Sequence, residues 1–235
     1  MEPDTPRIAL IHALEESVAP AHAAFAEAWP EAYCFDILDT SLAVDRAHAG
    51  RLDEVMTRRF AMLADYAAST AGKGGETAGI LFTCSAFGPA IDAVKSRLSI
   101  PVLRPNEAAF SHALDSGNEF LLIVSFEPSR AALEAEFHDM ARRRGKSAAL
   151  STAVADGALN ALKSGDSDKH DAIVADTARR HAGSAASIIL GQFSLASTRS
   201  AVERSLPGAT VITTPHSAVI EMRRLDVARR QSACI

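Results

Sequence analysis

The chain has 235 residues, 48% of them hydrophobic, and a formal net charge of −5 at neutral pH. That supplies one large core or two modest ones, and the mild acidity excludes a long-range pull toward nucleic acid or anionic lipid. Three widely spaced cysteines, Cys34, Cys84 and Cys234, form neither a zinc pattern nor a secreted disulfide framework, so free thiols are expected.

The opening MEPDTPRIALIH lacks the charged-then-apolar layout of a signal segment. The longest apolar run, Phe120 to Val124, is far shorter than the roughly 20 residues of a membrane helix. A cytoplasmic protein with no membrane or nucleic-acid partner is expected. Strands are expected first at Ile8–His12 and Tyr33–Leu38. A helix over Arg51–Thr70 follows, with Leu52, Val55, Met56, Phe60, Leu63 and Ala67 on one apolar stripe. Gly72-Lys73-Gly74-Gly75 precedes a strand and lacks the Lys-Ser/Thr ending of a phosphate loop, so it reads as a plain loop. Further strands are expected at Gly79–Thr83, Pro101–Arg104 and Phe120–Ser125. The basic run Arg142-Arg143-Arg144-Gly145-Lys146 reads as the cationic last turn of a helix closed by glycine. A strand at Ala148–Thr152 comes next, then a polar turn with Asp166 or Ser167 as a helix cap. Ser187–Gly191 and Ala209–Thr213 complete the strands.

Short apolar runs alternating with helical patterns imply an α/β fold with parallel sheets covered on both faces. The sequence also repeats. RIALIHALEES from Arg7 matches EFLLIVSFEPS at an offset of 112, and AGILFTCSAFGPAIDAV from Ala78 matches ASIILGQFSLASTRSAV at an offset of 108. PVLRPNEAAF then matches TVITTPHSAV at an offset of 109. Two Rossmann-like half-domains are expected, 1–105 and 106–214, each with a parallel four-stranded sheet and related by a pseudo-twofold axis. A helix over 215–235 is expected to pack back on the first. Cys84 corresponds to Gln192, and both should stand at the carboxyl end of a sheet, where open α/β sheets bind ligands. The active site is therefore expected in a cleft between the halves.

Cys84 sits where a strand meets a helix carrying Gly88 and Pro89. One reading is a small buried hydrophobe. The other is an acid/base thiol whose pKa is lowered by a helix N-terminus. The N–H groups of Ser85 and Ala86 could then hold a substrate carboxylate or enolate, although Ser85 could equally be an N-cap. Gln192 cannot act as a base near neutrality, so a second base would come from His216, after Thr214-Pro215, or from His12 or Glu107. Ser41, Ser125, Phe193 and Ser194 stand at strand ends or helix starts, as polar contacts for a substrate or as caps. No dinucleotide fingerprint follows the first strand and no metal-ligand spacing occurs, so no cofactor is expected.

The segments ALIHALEES, ILDTSLAVD (37–45), LFTCSAFGPAIDA (81–93), IPVLRPNEA (100–108), IILGQFSLAS (188–197) and TTPHSAV (213–219) resemble, in order, those of the aspartate/glutamate racemase superfamily, which includes hydantoin racemases, arylmalonate decarboxylase and maleate isomerase. The resemblance implies a cofactor-independent enzyme of two α/β domains, with a thiol on one face of a bound carboxylate. Two-base members place a second cysteine on the opposite face; this sequence departs there, with Gln192. Three functions are weighed. The first is a racemase or epimerase moving a proton at the α-carbon of a small carboxylate. The second is a decarboxylase using one thiol as proton donor, and the third a carboxylate-binding protein without chemistry. A share of apolar helix surface also suits a homodimer.

Overall fold

The structure, a computed structural model, describes residues 5–185 and 187–233. Cys234 lies outside them. The chain divides into two compact units. Unit 1 takes the chain up to Pro105 and again from Ala218, and unit 2 takes Asn106–Ser217.

Unit 1 runs β1 (Arg7–His12), α1 (Val18–Ala28), β2 (Tyr33–Leu38), α2 (Ser41–Ala49), α3 (Glu54–Ser69), β3 (Ala71–Gly72), β4 (Gly75–Phe82), α4 (Gly88–Lys95) and β5 (Val102–Leu103). Four strands pair in parallel in the order β2-β1-β4-β5. The sheet has a fifth strand, because β3 folds back antiparallel on β4. The glycine-rich stretch is thus a hairpin turn: Gly74 and Gly75 take φ of 85° and 78°, which L side chains avoid.

Helix α3 starts where Asp53 accepts the Met56 N–H at 2.8 Å, a side-chain cap. Its buried face is Met56, Phe60, Ala64 and Ala67, with Leu52 and Leu63 partly covered. Phe60 packs on Phe82 and Phe87, with ring centroids 5.3 and 4.4 Å apart. Val55 departs from the expected stripe, since it points to solvent. The other sheet face meets α10 (Thr214–Ala233), which begins in unit 2 and continues into unit 1. There β4 carries Gly79, where a Cβ would fall 2.7 Å from Met222 Sδ.

Unit 2 runs α5 (Glu107–Ser116), β6 (Glu119–Val124), α6 (Arg130–Arg143), β7 (Ala149–Val154), α7 (Ala158–Lys163), α8 (Ser167–His181), β8 (Ser187–Leu190), α9 (Arg199–Ser205) and β9 (Thr210–Thr213). Its strands are parallel in the order β7-β6-β8-β9, the same relative order as the four parallel strands of unit 1. One apolar cluster covers each sheet face. Asp166 caps α8 by accepting the Lys169 N–H. The basic run closes α6 through Gly145, and Arg142, Arg143, Arg144 and Lys146 all pair with Asp139 or Asp115.

The repeat is visible at two junctions. Single 3₁₀ turns at Glu15–Ser17 and Glu127–Ser129 follow β1 and β6. A further single turn at Ser85–Phe87 follows β4 and a longer 3₁₀ helix at Phe193–Thr198 follows β8, and Cys84 and Gln192 are their extended caps.

Candidate active site

Cys84 ends the stretch after β4 with φ −112° and ψ 120°, then a 3₁₀ turn leads into α4. Ser85 is inside that turn rather than its cap. The Ala86 N–H donates to the Cys84 sulfur, and Arg46 on α2 lies within electrostatic reach of it. Burial nevertheless dominates both and pushes the thiol up to about 11, the reverse of the expected depression. The reason lies in the junction. A single 3₁₀ turn offers one N–H, whereas α4 and its dipole start four residues later, at Gly88. Gly88 leaves room there for the Arg104 guanidinium, which a Cβ would approach to 3.1 Å. Arg104 is fixed by Asp92, with Nε donating to Oδ1 at 2.7 Å.

Arg46 is half-buried, and its buried Nε makes no hydrogen bond. An arginine placed this way incurs a desolvation cost without an internal partner. Such a group beside a thiol is suited to an incoming anion. Its neighbour Asp45 is engaged elsewhere: Arg59 Nη1 donates to Asp45 at 2.6 Å, and Nη2 donates to Asp39 at 2.7 Å and to Ser41 Oγ at 2.5 Å. Burial opposes the charge on Asp39, but the bonds from Ser41 and Arg59 hold its pKa below the ordinary carboxylate value. Ser41 thus belongs to a clamp that fixes the β2–α2 connection, and its hydroxyl is already engaged there.

His12 is fully buried, with Nδ1 2.9 Å from Thr83 Oγ1 and Nε2 3.0 Å from Asp36 Oδ1. The carboxylate can only accept, so Nε2–H donates to it, and the neutral ring accepts the Thr83 hydroxyl at Nδ1. Burial holds His12 below its ordinary 6.5, against the opposing pull of Asp36. His22 on α1 closes the network, its Nε2 2.8 Å from Asp36 Oδ2. These bonds tie β1, β2 and the residue preceding Cys84. Cys34, beside Asp36 on β2, is pushed up to about 12 by burial and then by the Asp36 charge.

In unit 2 the structure brings Gln192 and Ser125 together. Gln192 Oε1 accepts the Ser125 N–H at 2.6 Å and its hydroxyl at 2.9 Å, while Nε2 donates to Ser129 Oγ at 3.2 Å. Both ends of the amide are occupied. Phe193 and Ser194 are buried, 1% and 3% exposed. The Ser194 carbonyl lies 3.2 Å from Nε2 of buried His170. Glu107 and His216 stand in the first turns of α5 and α10, both half-buried.

Sequence reasoning missed Arg46, Asp36, Thr83 and Ser129. For Arg46 a signal existed: it lies on a helix with no acidic residue three or four positions away. Among the described residues no three His, Cys, Asp or Glu side chains gather as metal ligands. No described helix is long and apolar enough to cross a membrane.

No curated protein matches the sequence. Among solved structures the fold is similar to glutamate racemase from Thermus thermophilus in complex with β-chloro-D-alanine, at 20% identity and TM-score 0.68, covering 97% of this chain and 83% of that one. It is also similar to allantoin racemase from Pseudomonas fluorescens, at 16% identity and TM-score 0.68, covering 94% and 91%. Aspartate racemase from Picrophilus torridus gives 12% identity and TM-score 0.71, covering 94% of each chain. The family model of Asp/Glu/Hydantoin racemases matches residues 11–222, nearly the whole sequence. The chain therefore belongs to the Asp/Glu/hydantoin racemase family.

Proposed function

We propose that the protein moves a proton at the α-carbon of a small carboxylate, with Cys84 as the acid/base group and Arg46 as the anchor of the carboxylate. Family membership makes it a racemase-type isomerase; the residue roles and substrate class are the further step. The observation that carries them is the pairing of a thiol that accepts the Ala86 N–H with an arginine whose buried Nε has no hydrogen bond. Removing a proton next to a carboxylate places negative charge on its oxygens, and a guanidinium held ready there stabilises that charge. With a pKa of about 11, Cys84 rests as the thiol, which is the form that delivers a proton. To act as a base it must first lose that proton. At pH 7 only about one molecule in ten thousand carries the thiolate.

The test is solvent exchange. The folded protein is incubated in heavy water with a panel of amino, hydroxy and related acids, and deuterium at the α-carbon is measured by NMR. Exchange that disappears in Cys84→Ala is expected. A panel with no exchange in the wild type would count against the proposal.

A second reading, a cofactor-free decarboxylase, is favoured by two observations: the protonated thiol, and the engagement of Gln192 by Ser125 and Ser129. Loss of carbon dioxide generates the enolate without a base, so one proton donor suffices. Carbon dioxide release from substituted malonates, with product protonated on one face, would identify this chemistry in place of racemisation.

A further inference from the structure

His170 on α8 is 1% exposed, and both nitrogens of its ring face backbone carbonyl oxygens. Nδ1 lies 2.9 Å from the Ala158 oxygen in the first turn of α7, and Nε2 lies 3.2 Å from the Ser194 oxygen in the 3₁₀ helix after β8. A carbonyl oxygen only accepts, and a neutral imidazole has one N–H, so the neutral ring can bond one of the two at a time. The protonated ring has two N–H groups and bonds both, with the added strength of a charged donor. A ring in this position therefore changes its bonding when it changes its charge. Ser194 stands two residues after Gln192, and the Leu195 N–H closes the same turn by donating to the Gln192 carbonyl at 3.0 Å. The charged groups around the ring are peripheral. The 3₁₀ helix and β7 have none, α7 has exposed Lys163, and β6 has exposed Glu119. On α9 Arg199 pairs with Glu203 and Arg204 is exposed; near His170 on α8, Asp166, Asp168 and Lys169 are exposed and Asp171 is half-buried.

We propose that His170 is a positioning residue for the Gln192 junction, and that its protonation sets how tightly the junction is held. The protonated ring staples the starts of α7 and of the 3₁₀ helix to α8. On losing a proton from Nε2 it keeps the shorter bond, to Ala158, and releases Ser194. The turn that begins at Gln192 then loses this tie, and the Gln192 side chain is left to its clamp with Ser125 and Ser129. The junction stands at the carboxyl end of a parallel sheet, where open α/β sheets bind their ligands. It is therefore more firmly ordered on the acid side of the His170 titration than on the alkaline side. This inference does not depend on the chemistry proposed for Cys84.

NMR on the isotope-labelled full chain, from about pH 5 to about pH 9, reads the ring and the junction together. The His170 ring is expected to show two N–H groups at the acid end and one, on Nδ1, at the alkaline end. The Leu195 and Ser125 amides donate to the Gln192 backbone and side chain. Over the same titration their hydrogen exchange should quicken at least about fivefold beyond its intrinsic pH dependence, as for the loss of one hydrogen bond. In His170→Gln, whose amide has a donor at one end only, this pH dependence should vanish; a merely structural role would change exchange equally at every pH. A wild-type ring whose N–H count stays constant over the range would overturn the proposal, whether or not His170→Gln folds. So would exchange at Leu195 and Ser125 that ignores the titration of the ring, or that follows pH just as closely in His170→Gln.

Discussion

The charge of Arg46 should be felt by any small carboxylate that reaches the Cys84 thiol, whether or not it is a substrate. Iodoacetate and iodoacetamide alkylate a thiolate by the same displacement and differ by one charge. The ratio of their rates at Cys84 therefore cancels the thiol's own pKa. Unit charges about 5 Å apart interact by about 3 kcal/mol at an effective dielectric of 20. Half-burial and salt reduce this to about 1–2 kcal/mol, or roughly 5- to 30-fold in rate. Arg46→Met keeps the length and removes the charge, so the iodoacetate preference should fall by about tenfold, while Arg46→Lys should retain most of it. Mass spectrometry of the Cys84 peptide, at low ionic strength, keeps Cys34 and Cys234 out of the measurement. Arg46→Met should also be at least as stable as the wild type, since the buried Nε it removes makes no hydrogen bond. α-Proton exchange should fall about 100-fold, as expected for a lost charge-assisted contact. An unchanged alkylation ratio in a folded Arg46→Met protein would refute the anchor, because the guanidinium would then not face the thiol's approach.

Two other consequences are direct. Alkylation of Cys84 should keep accelerating with pH toward its value of about 11, and a plateau near 8 would mean that burial does not control the thiol. His12 is held below 6.5 in the folded chain while the unfolded chain protonates at 6.5, so unfolded protein binds the extra proton first. Stability is expected to decline as pH falls below 6.5 and through the folded value, with that part of the slope lost in His12→Gln; chemical denaturation from pH 7.5 to 5 measures it, and equal slopes would exclude His12 as the cause.

Local signals made the positions of the strands along the chain legible. β2 has the expected bounds, and most other strands differ by one or two residues at an end because strand termini depend on partners that sequence does not display. The larger difference is at β4, which starts at Gly75 because the hairpin built on Gly74 and Gly75 extends it. The place of Cys84 was legible from an apolar run meeting Ser85, Gly88 and Pro89. Its electrostatics were not, because a 3₁₀ turn and an α-helix give the same local signal yet differ in the field they apply. The position of His12 at a strand end was also legible, but its partners Asp36 and Thr83 are 24 and 71 residues away, and only the sheet brings them together. Val55 misled because it is apolar and close to the helical period, yet it falls outside the buried face of Met56, Phe60, Ala64 and Ala67.

The two matching junctions explain why a thiol suits one and an amide the other. In unit 2 the residue after β6 is Ser125, and its hydroxyl and N–H both hold Gln192, with Ser129 closing the clamp. The repeat offset places Ala13 and Ser17 of unit 1 in those positions. Ala13 is 1% exposed and has no side-chain donor, so the Ser125 hydroxyl has no counterpart for Cys84, although Ser17 stands where Ser129 does. A thiol without that bond keeps its proton, as burial already favours, and remains able to give it up. Restoring the donor is the decisive perturbation. A hydroxyl at position 13 should stabilise the thiolate and draw the Cys84 pKa below about 11. The pH–alkylation profile of Ala13→Ser is therefore expected to shift to lower pH. A profile that does not move, in a protein of unchanged fold, would show that the equivalence of the two junctions ends at the backbone.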